Sequence, residues 1–324
     1  MSNNKTIFIK SINGDFSTNE VLDWIIDFGY NFRRTNEFDL TNWRFKFDLN
    51  KIENSFIYDK MDNPFIHAFW YRKGGKAGLN KNVDNNDAIK MFKWFENSEK
   101  KTIKEFFYKM FCKKGLNLPP ANKVNKLLVL DRAKKIGLNI PRSIVTNDKN
   151  QVLEFIQKFR DVILKSISDY SIMYEKESKV FTSYTVKLKK SDLVDYPNLI
   201  FPILVQQEIK KIIDIRVFYL GGQCYPMAIF SQNDKQTNLD FRRYNFNKPN
   251  RQVPYNLSNK VKIQIVKLMK YFELESGSLD FILSKDNLVY FLEVNPVGQF
   301  GMVSYPCNYN LEKKIAQYLI KKLN

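Results

Sequence analysis

The opening residues KTIFIKSI alternate as a strand does, and Asp15 to Asn19 then form a capping turn. The turn leads into an amphipathic segment, Glu20 to Phe28, whose spacing sends Val21, Leu22, Ile25, Ile26 and Phe28 inward. Phe32 to Phe38 returns as a second strand, RFKFDL and SFIYDK alternate as further strands, and AFWYRKGG leaves the sheet as another. The Gly74-Gly75 pair lacks the downstream Gly-Lys-Ser/Thr of a phosphate loop and reads as a turn. Together these elements predict an α/β lobe over residues 1–118.

A second unit is expected after Asn117-Leu118-Pro119-Pro120. Asn122 or Asn125 caps a helix predicted to bury Leu127, Leu128, Leu130, Ala133 and Ile136; Gly137 ends it and Pro141 follows. RSIVT reads as a strand, and a helix capped between Thr146 and Asp148 turns Val152, Phe155 and Ile156 inward. DVILKSI is an apolar strand carrying Lys165 at its end, and VFTSYTVKLK alternates as one more strand. This small α+β module is assigned residues 119–205. Strands then dominate: FPILVQQEI, DIRVFYL and CYPMAIF, the last two joined by Gly221-Gly222 in a strong hairpin signal. Ser258 caps a long helix through Val261, Ile265, Leu268 and Met269, and GSLDFILS and NLVYFLEVN pair across the polar turn Lys285-Asp286-Asn287. Residues 206–324 form this third unit, and the chain shows no internal repeat or low-complexity tract.

Composition narrows the class. A chain of 324 residues suits two or three packed lobes, and 15% aromatic content argues against disorder. No apolar run approaches a membrane span, and the opening residues lack the apolar core and cleavage site of a secretory signal. Cys112, Cys224 and Cys307 are far apart and odd in number, which gives neither a disulfide framework nor zinc spacing; a reducing cytoplasm is expected. The single histidine, His67, is expected to pack among aromatics with one nitrogen satisfied. Histidine-cluster zinc chemistry is thereby excluded, leaving carboxylates, lysines, arginines and Mg²⁺. The net charge of +18 calls for an anionic partner, although scattered lysines and abundant Asn are equally the mark of compositional bias.

The candidate chemistry lies in GSLDFILSKDNLVYFLEVNP. Glu293 and Asn295 are two apart and share a strand face, and a short hairpin connection brings Asp280 alongside them. Three hard oxygen donors suit Mg²⁺, and a metal offsets the cost of burying a carboxylate in so apolar a strand. Spacing alone leaves an ordinary half-exposed strand with surface acids equally open.

Four segments in one order sharpen the choice: NKLLVLDRAKKIGLNIPRSIVT, DVILKS, LVQQEIKKIIDIRVFYLGG and LDFILSKDNLVYFLEVNPVGQF. They resemble the ATP-grasp superfamily in its ribosomal-S6-glutamate-ligase-like branch, over roughly residues 120–324. Within that branch the chain is similar to the graspetide synthetases, peptide maturases of the grasp-with-spasm type. AFWYRKGG resembles the aromatic-Tyr-Arg strand end of their N-terminal lobe. The resemblance implies an α/β (α+β) ATP-grasp fold with a pre-ATP-grasp lobe, a small central lid subdomain and an antiparallel C-terminal subdomain.

It also implies roles residue by residue. Asp280, Glu293 and Asn295 match the Mg²⁺ ligands, with Glu293 bridging two ions. Lys165 and Lys126 match lysines that reach the ATP phosphates. Gln207, Glu208 and Ile209 match the hinge that reads adenine through backbone groups, and Asp214 the ribose-side acid. Arg216 and Arg242 match residues facing phosphate or the acyl-phosphate, and Asn238 sits near the metals in a looser match. The usual glycine-rich lid is absent from SISDYSIMYEKESKVF, where Ser166, Ser168 and Ser171 are left to supply donors. The implied reaction is a two-step ligation: a substrate carboxylate takes the γ-phosphate, and a hydroxyl or amine then displaces phosphate to leave an ester or amide. Implied partners are a precursor peptide with leader and acidic core, and a second copy in a homodimer; neither nucleic acid nor membrane is expected. Rival readings are a glutamate or amino-acid ligase acting on a protein tail, a basic nucleic-acid-binding protein, and a nucleotide-binding fold without catalysis.

Overall fold

Ile7, Phe8 and Ile9 are all buried, as a strand covered on both faces requires. They belong to β1 (Thr6–Lys10), which is followed by α1 (Phe16–Asp27), β2 (Asn31–Thr35), β3 (Arg44–Lys46), β4 (Phe56–Tyr58), β5 (Ala68–Tyr71), α2 (Asp87–Phe111) and β6 (Gly115–Leu116). The structure is a computed structural model that describes residues 5–36, 44–52, 55–58, 67–72, 87–112, 114–117, 124–168, 171–174, 179–182 and 184–323. Parallel strands run in the order β2-β1-β5-β6, and β3 and β4 form a separate antiparallel pair. Ile7, Ile9, Ala68 and Trp70 point to a core shared with Val21, Leu22 and Ile25 of α1. Phe8 and Phe69 point the other way, onto Phe107 and Phe111 of α2. Each such burial is worth about 1.5–3 kcal/mol.

Most of the elements expected over this stretch are present among the described residues, with corrections. The first helix starts at Phe16, before the predicted Glu20, and Ile26 is 60% exposed because the buried stripe runs through Thr18, Val21, Leu22 and Ile25. The α2 helix was not foreseen, and the Gly74-Gly75 turn lies outside the described residues. His67 is half-buried and accepts the Thr6 N–H on Nδ1 at 3.4 Å, as expected of a packed histidine.

Next come α3 (Lys126–Ile136), β7 (Ser143–Asp148), α4 (Lys149–Phe159), β8 (Val162–Lys165), β9 (Ser171–Tyr174), β10 (Lys179–Thr182), β11 (Val186–Lys187) and β12 (Leu199–Gln207). The Asn125 side chain caps α3 by accepting the Leu127 and Leu128 N–H groups, and Gly137 ends it with φ 91°. Asp148 caps α4. Strands β11-β8-β12-β7 make an antiparallel sheet covered by Val152, Phe155 and Ile156 of α4. Two expectations change here. Leu128 is 61% exposed while Val129 is buried, and VFTSYTVKLK splits into β10, paired with β9, and β11, paired with β8.

The remaining elements are β13 (Lys211–Leu220), β14 (Gln223–Ile229), β15 (Gln252–Pro254), α5 (Asn259–Tyr271), β16 (Ser276–Ser284), β17 (Val289–Asn295), α6 (Gly301–Cys307) and α7 (Leu311–Leu323). They build an antiparallel sheet of order β15-β14-β13-β16-β17. Ile213, Ile215, Val217 and Tyr219 face a core with α3 and α5, joined by Leu279, Phe281 and Phe291. On the opposite face, Phe218, Leu220, Met227 and Ile229 join α7 and the parallel sheet in one core. Between those apolar ends the same face carries Asp214, Arg216 and Asp280. No helix of the described residues is long and apolar enough to cross a membrane.

Candidate active site

Arg216, Asp280 and Glu293 occupy one row across three strands, because Arg216 pairs with Asp280 and Asp280 with Glu293. Strict alternation would not allow this. Phe291 lies in the apolar core, and in a regular strand Glu293, two residues on, would follow it there. Phe281 pairs with Phe291 while Asp280 pairs with Glu293, so Leu292 is an unpaired bulge that re-aims the strand. Val294 returns to the core, and Glu293 emerges beside Asp280.

The row is short of compensation. Asp280 is 8% exposed; Arg216 Nη1 lies 3.5 Å from its Oδ1, which accepts no hydrogen bond among the described residues. An orphaned buried acceptor of this kind costs about 1–3 kcal/mol, more when charged. Burial raises the Asp280 carboxyl to about 6; Arg216 works against the rise and the neighbouring Glu293 adds to it. Glu293 is better served. Burial would raise its carboxyl, but Lys126 at 3.0 Å and Lys165 hold it below the ordinary value. Burial lowers the Lys165 ammonium, with Glu293 opposing the shift and Lys126 adding to it. Lys126 also donates to the backbone oxygen of Ser166 at 3.4 Å, tying α3 to the end of β8.

These donors fit a hard divalent cation: two neighbouring carboxylates, one of them with an unmet oxygen, and a carboxamide on the same strand. Asn295 pairs with Ser278 one step along the face, is exposed, and accepts the Val297 N–H on Oδ1 at 3.1 Å. Among the described residues no cluster of three or more His, Cys, Asp or Glu side chains forms, so the third oxygen would come from Asn295.

Asp280 and Glu293 of this row line a cleft, partly open to solvent, between the two larger antiparallel sheets. Of the residues singled out in the sequence, Lys165, Gln207, Glu208, Ile209, Asp214, Asn238, Arg242, Asp280 and Glu293 line it. Lys126, Arg216 and Asn295 stand behind or beside that lining. At the strand crossover, the Gln207 N–H donates to Arg142 O and the Glu208 N–H to Asp161 O. Among the described residues the Ile209 N–H has no backbone partner, which leaves a donor on a residue that lines the cleft. The Glu208 carboxylate pairs with Lys187 at 3.0 Å and Lys210 at 3.2 Å.

Asp214 is already engaged. Its carboxylate accepts from Lys211 at 2.7 and 2.8 Å and from the Ser231 hydroxyl, and burial still keeps it above its ordinary value. Arg242 forks onto Asp240 through Nε at 2.9 Å and Nη2 at 2.7 Å. Burial would raise the Asp240 carboxyl, yet this fork and the Thr185 N–H bring it down to about 2. Sequence reasoning missed Asp240, Lys211 and Ser231. The acid two residues before Arg242 and the lysine three residues before Asp214 were local signals; Ser231 meets Asp214 only through the pairing of β13 with β14.

Residues 121–319 match the RimK-like ATP-grasp domain model. The chain belongs to that family. This RimK-like ATP-grasp chain is 28% identical over 196 residues to an uncharacterised protein of Methanocaldococcus jannaschii, a match covering 58% of the chain and 44% of that protein. The chain therefore spans under half the length of this curated relative. Its structure is similar to the RiPP-associated ATP-grasp ligase of Chryseobacterium gregarium in complex with ADP and a leader and core peptide. The TM-score is 0.83 at 24% identity, covering 98% of this chain and 97% of that one. It is likewise similar to the macrocyclase MdnC of Microcystis aeruginosa bound to precursor peptide MdnA, with TM-score 0.80, 25% identity, and 98% and 99% coverage. The ATP-grasp ligase PsnB, complexed with minimal precursor, Mg and ADP, superimposes with TM-score 0.77 at 19% identity over 98% and 97% of the chains.

Proposed function

We propose that the protein is an ATP-dependent carboxylate ligase acting on a ribosomally made precursor peptide, joining Asp or Glu side chains to Ser, Thr or Lys side chains in macrocycles. The observation that carries this reading is the Arg216–Asp280–Glu293 row at the wall of the cleft, with Lys126 and Lys165 against Glu293 and one Asp280 oxygen unmet. In a RimK-like ATP-grasp chain that arrangement is a seat for a nucleotide polyphosphate and its counter-ion. Mg²⁺, in our reading two ions held by Asp280, Glu293 and Asn295, would supply charge neutralisation at the phosphates.

The chain's own residues then divide the work. Lys126 and Lys165 present ammonium groups toward the phosphates, and the Ile209 N–H, without a backbone partner among the described residues, offers a donor to the adenine. Asp214, firmly held by Lys211 and Ser231, stands at the sugar side. Arg216 and Arg242 lie where a substrate carboxylate and its acyl-phosphate would carry negative charge. Positioning and charge neutralisation are what phosphoryl transfer chiefly needs, and no histidine is called for.

A peptide substrate is supported by likeness over the whole chain, the N-terminal lobe included, to ligases solved with precursor peptides. We read residues 1–118, 119–205 and 206–324 as pre-ATP-grasp, central and C-terminal subdomains. A homodimer and a reducing cytoplasmic setting, in keeping with three free cysteines, complete the proposal. The test is incubation with ATP, Mg²⁺ and acidic candidate precursors, read by mass. Loss of one water per link is the expected result; gain of glutamate residues on a protein tail would instead establish the amino-acid-ligase rival.

A further inference from the structure

In the parallel order β2-β1-β5-β6, the chain leaves β1 toward β2 and β5 toward β6, on opposite sides, which opens a crevice beyond the C-terminal ends of β1 and β5. Such crevices ordinarily receive ligands. Here residues 297–299, just past β17, occupy it. Arg72 follows β5, is 3% exposed and spans the crevice. Its Nη1 donates to Val297 O at 2.8 Å and its Nη2 to Gln299 Oε1 at 2.9 Å, while Nε faces Asp15 Oδ2 at 3.6 Å. The guanidinium carbon also sits 5.2 Å from the centre of the Phe300 ring.

Asn117, just past β6, is buried with φ 53°. Its Nδ2 donates to Pro296 O at 2.6 Å and Ser276 Oγ at 2.8 Å, and its Oδ1 accepts the Ser276 N–H at 3.2 Å. The turn so gripped is the one that holds Asn295. Val297, whose carbonyl Arg72 holds, donates its N–H to Asn295 Oδ1 at 3.1 Å, and the Gly298 N–H donates to Asn295 O at 3.1 Å. Gly298 lies so close to Ser278, the cross-strand partner of Asn295, that a Cβ there would be 2.2 Å from Ser278 Oγ. The turn therefore has little room to shift.

We propose that Arg72 and Asn117 are positioning residues for Asn295: the N-terminal lobe fixes the carboxamide oxygen beside Glu293 by holding the peptide carbonyls of Pro296 and Val297. Neither residue touches the cleft. The inference rests on the reading of Asn295 as an Mg²⁺ donor, and it makes the aromatic-Tyr-Arg strand end part of the nucleotide site without contacting the nucleotide. Outer partners that orient a metal donor change metal affinity or activity by roughly 10–100-fold when removed.

The test uses the full chain with Asn117→Gly, which keeps the left-handed backbone, and Arg72→Lys, which keeps a cation against Asp15. Amide exchange at residues 297–299 is measured, with Mg²⁺ titrations of ATP binding and ATP affinity in EDTA. Expected are faster exchange in both variants, Mg²⁺ affinity weakened roughly 10–100-fold, and unchanged ATP affinity in EDTA. Wild-type Mg²⁺ affinity despite faster exchange would overturn the positioning role, and unchanged exchange would overturn the grip itself. Failure of the unsubstituted protein to bind Mg·ATP would refute the ligase reading and this inference with it, and is told apart because it appears without any substitution.

Discussion

Asp15 and Asp280 are exposed by only 3% and 8%, and each has an arginine for a neighbour, yet their carboxyls move in opposite directions. Asp15 accepts from Ser11 at 2.9 Å, Thr18 at 2.7 Å and Ser17 at 2.8 Å. Against the burial that would raise it, Arg72 and these hydroxyls bring the Asp15 carboxyl down to about 2. Asp280 has its arginine but, among the described residues, no hydrogen-bond donor on Oδ1; it faces Glu293 and rises to about 6. The arginine is common to both; hydroxyls on one side, burial and the neighbouring Glu293 on the other, separate them. One site is complete as folded and, through Arg72, joins the N-terminal lobe to residues 297–299, while the other is the one we propose a ligand completes.

Replacing the key acid at the incomplete site is expected to have the largest effect. Glu293→Gln should lower ATP-dependent turnover by about 10³-fold, near 4 kcal/mol, while circular dichroism and melting stay close to wild type. Retained turnover would remove Glu293 from the metal site. At the complete site the pattern reverses. Asp15→Asn leaves Arg72 without its buried counter-charge and should cost about 3 kcal/mol in denaturant unfolding.

The sign with pH follows from the depressed carboxyl. The Asp15 contribution is fully present above the ordinary value of 3.8 and is lost as pH falls toward about 2. Wild type should therefore lose about 2 kcal/mol more than Asp15→Asn across that window; parallel acid titrations would show that Asp15 is not held as described. The smallest effect is expected from Asp280→Asn without nucleotide. Removing a buried, under-compensated charge relieves the Glu293 repulsion but takes a counter-charge from Arg216, so stability should stay within about 1 kcal/mol of wild type. A large destabilisation there would make Asp280 a structural acid like Asp15.

Local rules made much of this legible. Gly221-Gly222 closes its hairpin with φ 53° and 96°, Ser258 caps α5 through the Val261 N–H, and β16 pairs with β17 as alternation predicted. Legibility failed where long-range packing decides. The α2 helix carries Met91, Phe92, Trp94 and Phe95 on its exposed half and a polar stretch in its middle, so no single apolar stripe marks it. Ile26 and Leu128 fit a helical period but lie just off the buried stripe. In the site, the equal parity of Phe291 and Glu293 hid the bulge at Leu292. Asp240 and Ser231 gain meaning only when separate strands and loops meet, Asp240 at the cleft and Ser231 on Asp214.

The packing of α7 against α1 sets a timetable for the chain's synthesis. Ile315, Ala316 and Leu319 complete the core that Ile7, Ile9 and Trp70 begin, and Lys5 Nζ donates to Leu323 O across 318 positions. At ordinary translation rates the inner face of the parallel sheet waits roughly 15–60 s for that cover. Until then a newborn chain displays a broad apolar surface to whatever else is in the cell. Chaperone demand should accordingly be highest before residues 311–323 emerge, and fall once they leave the ribosome.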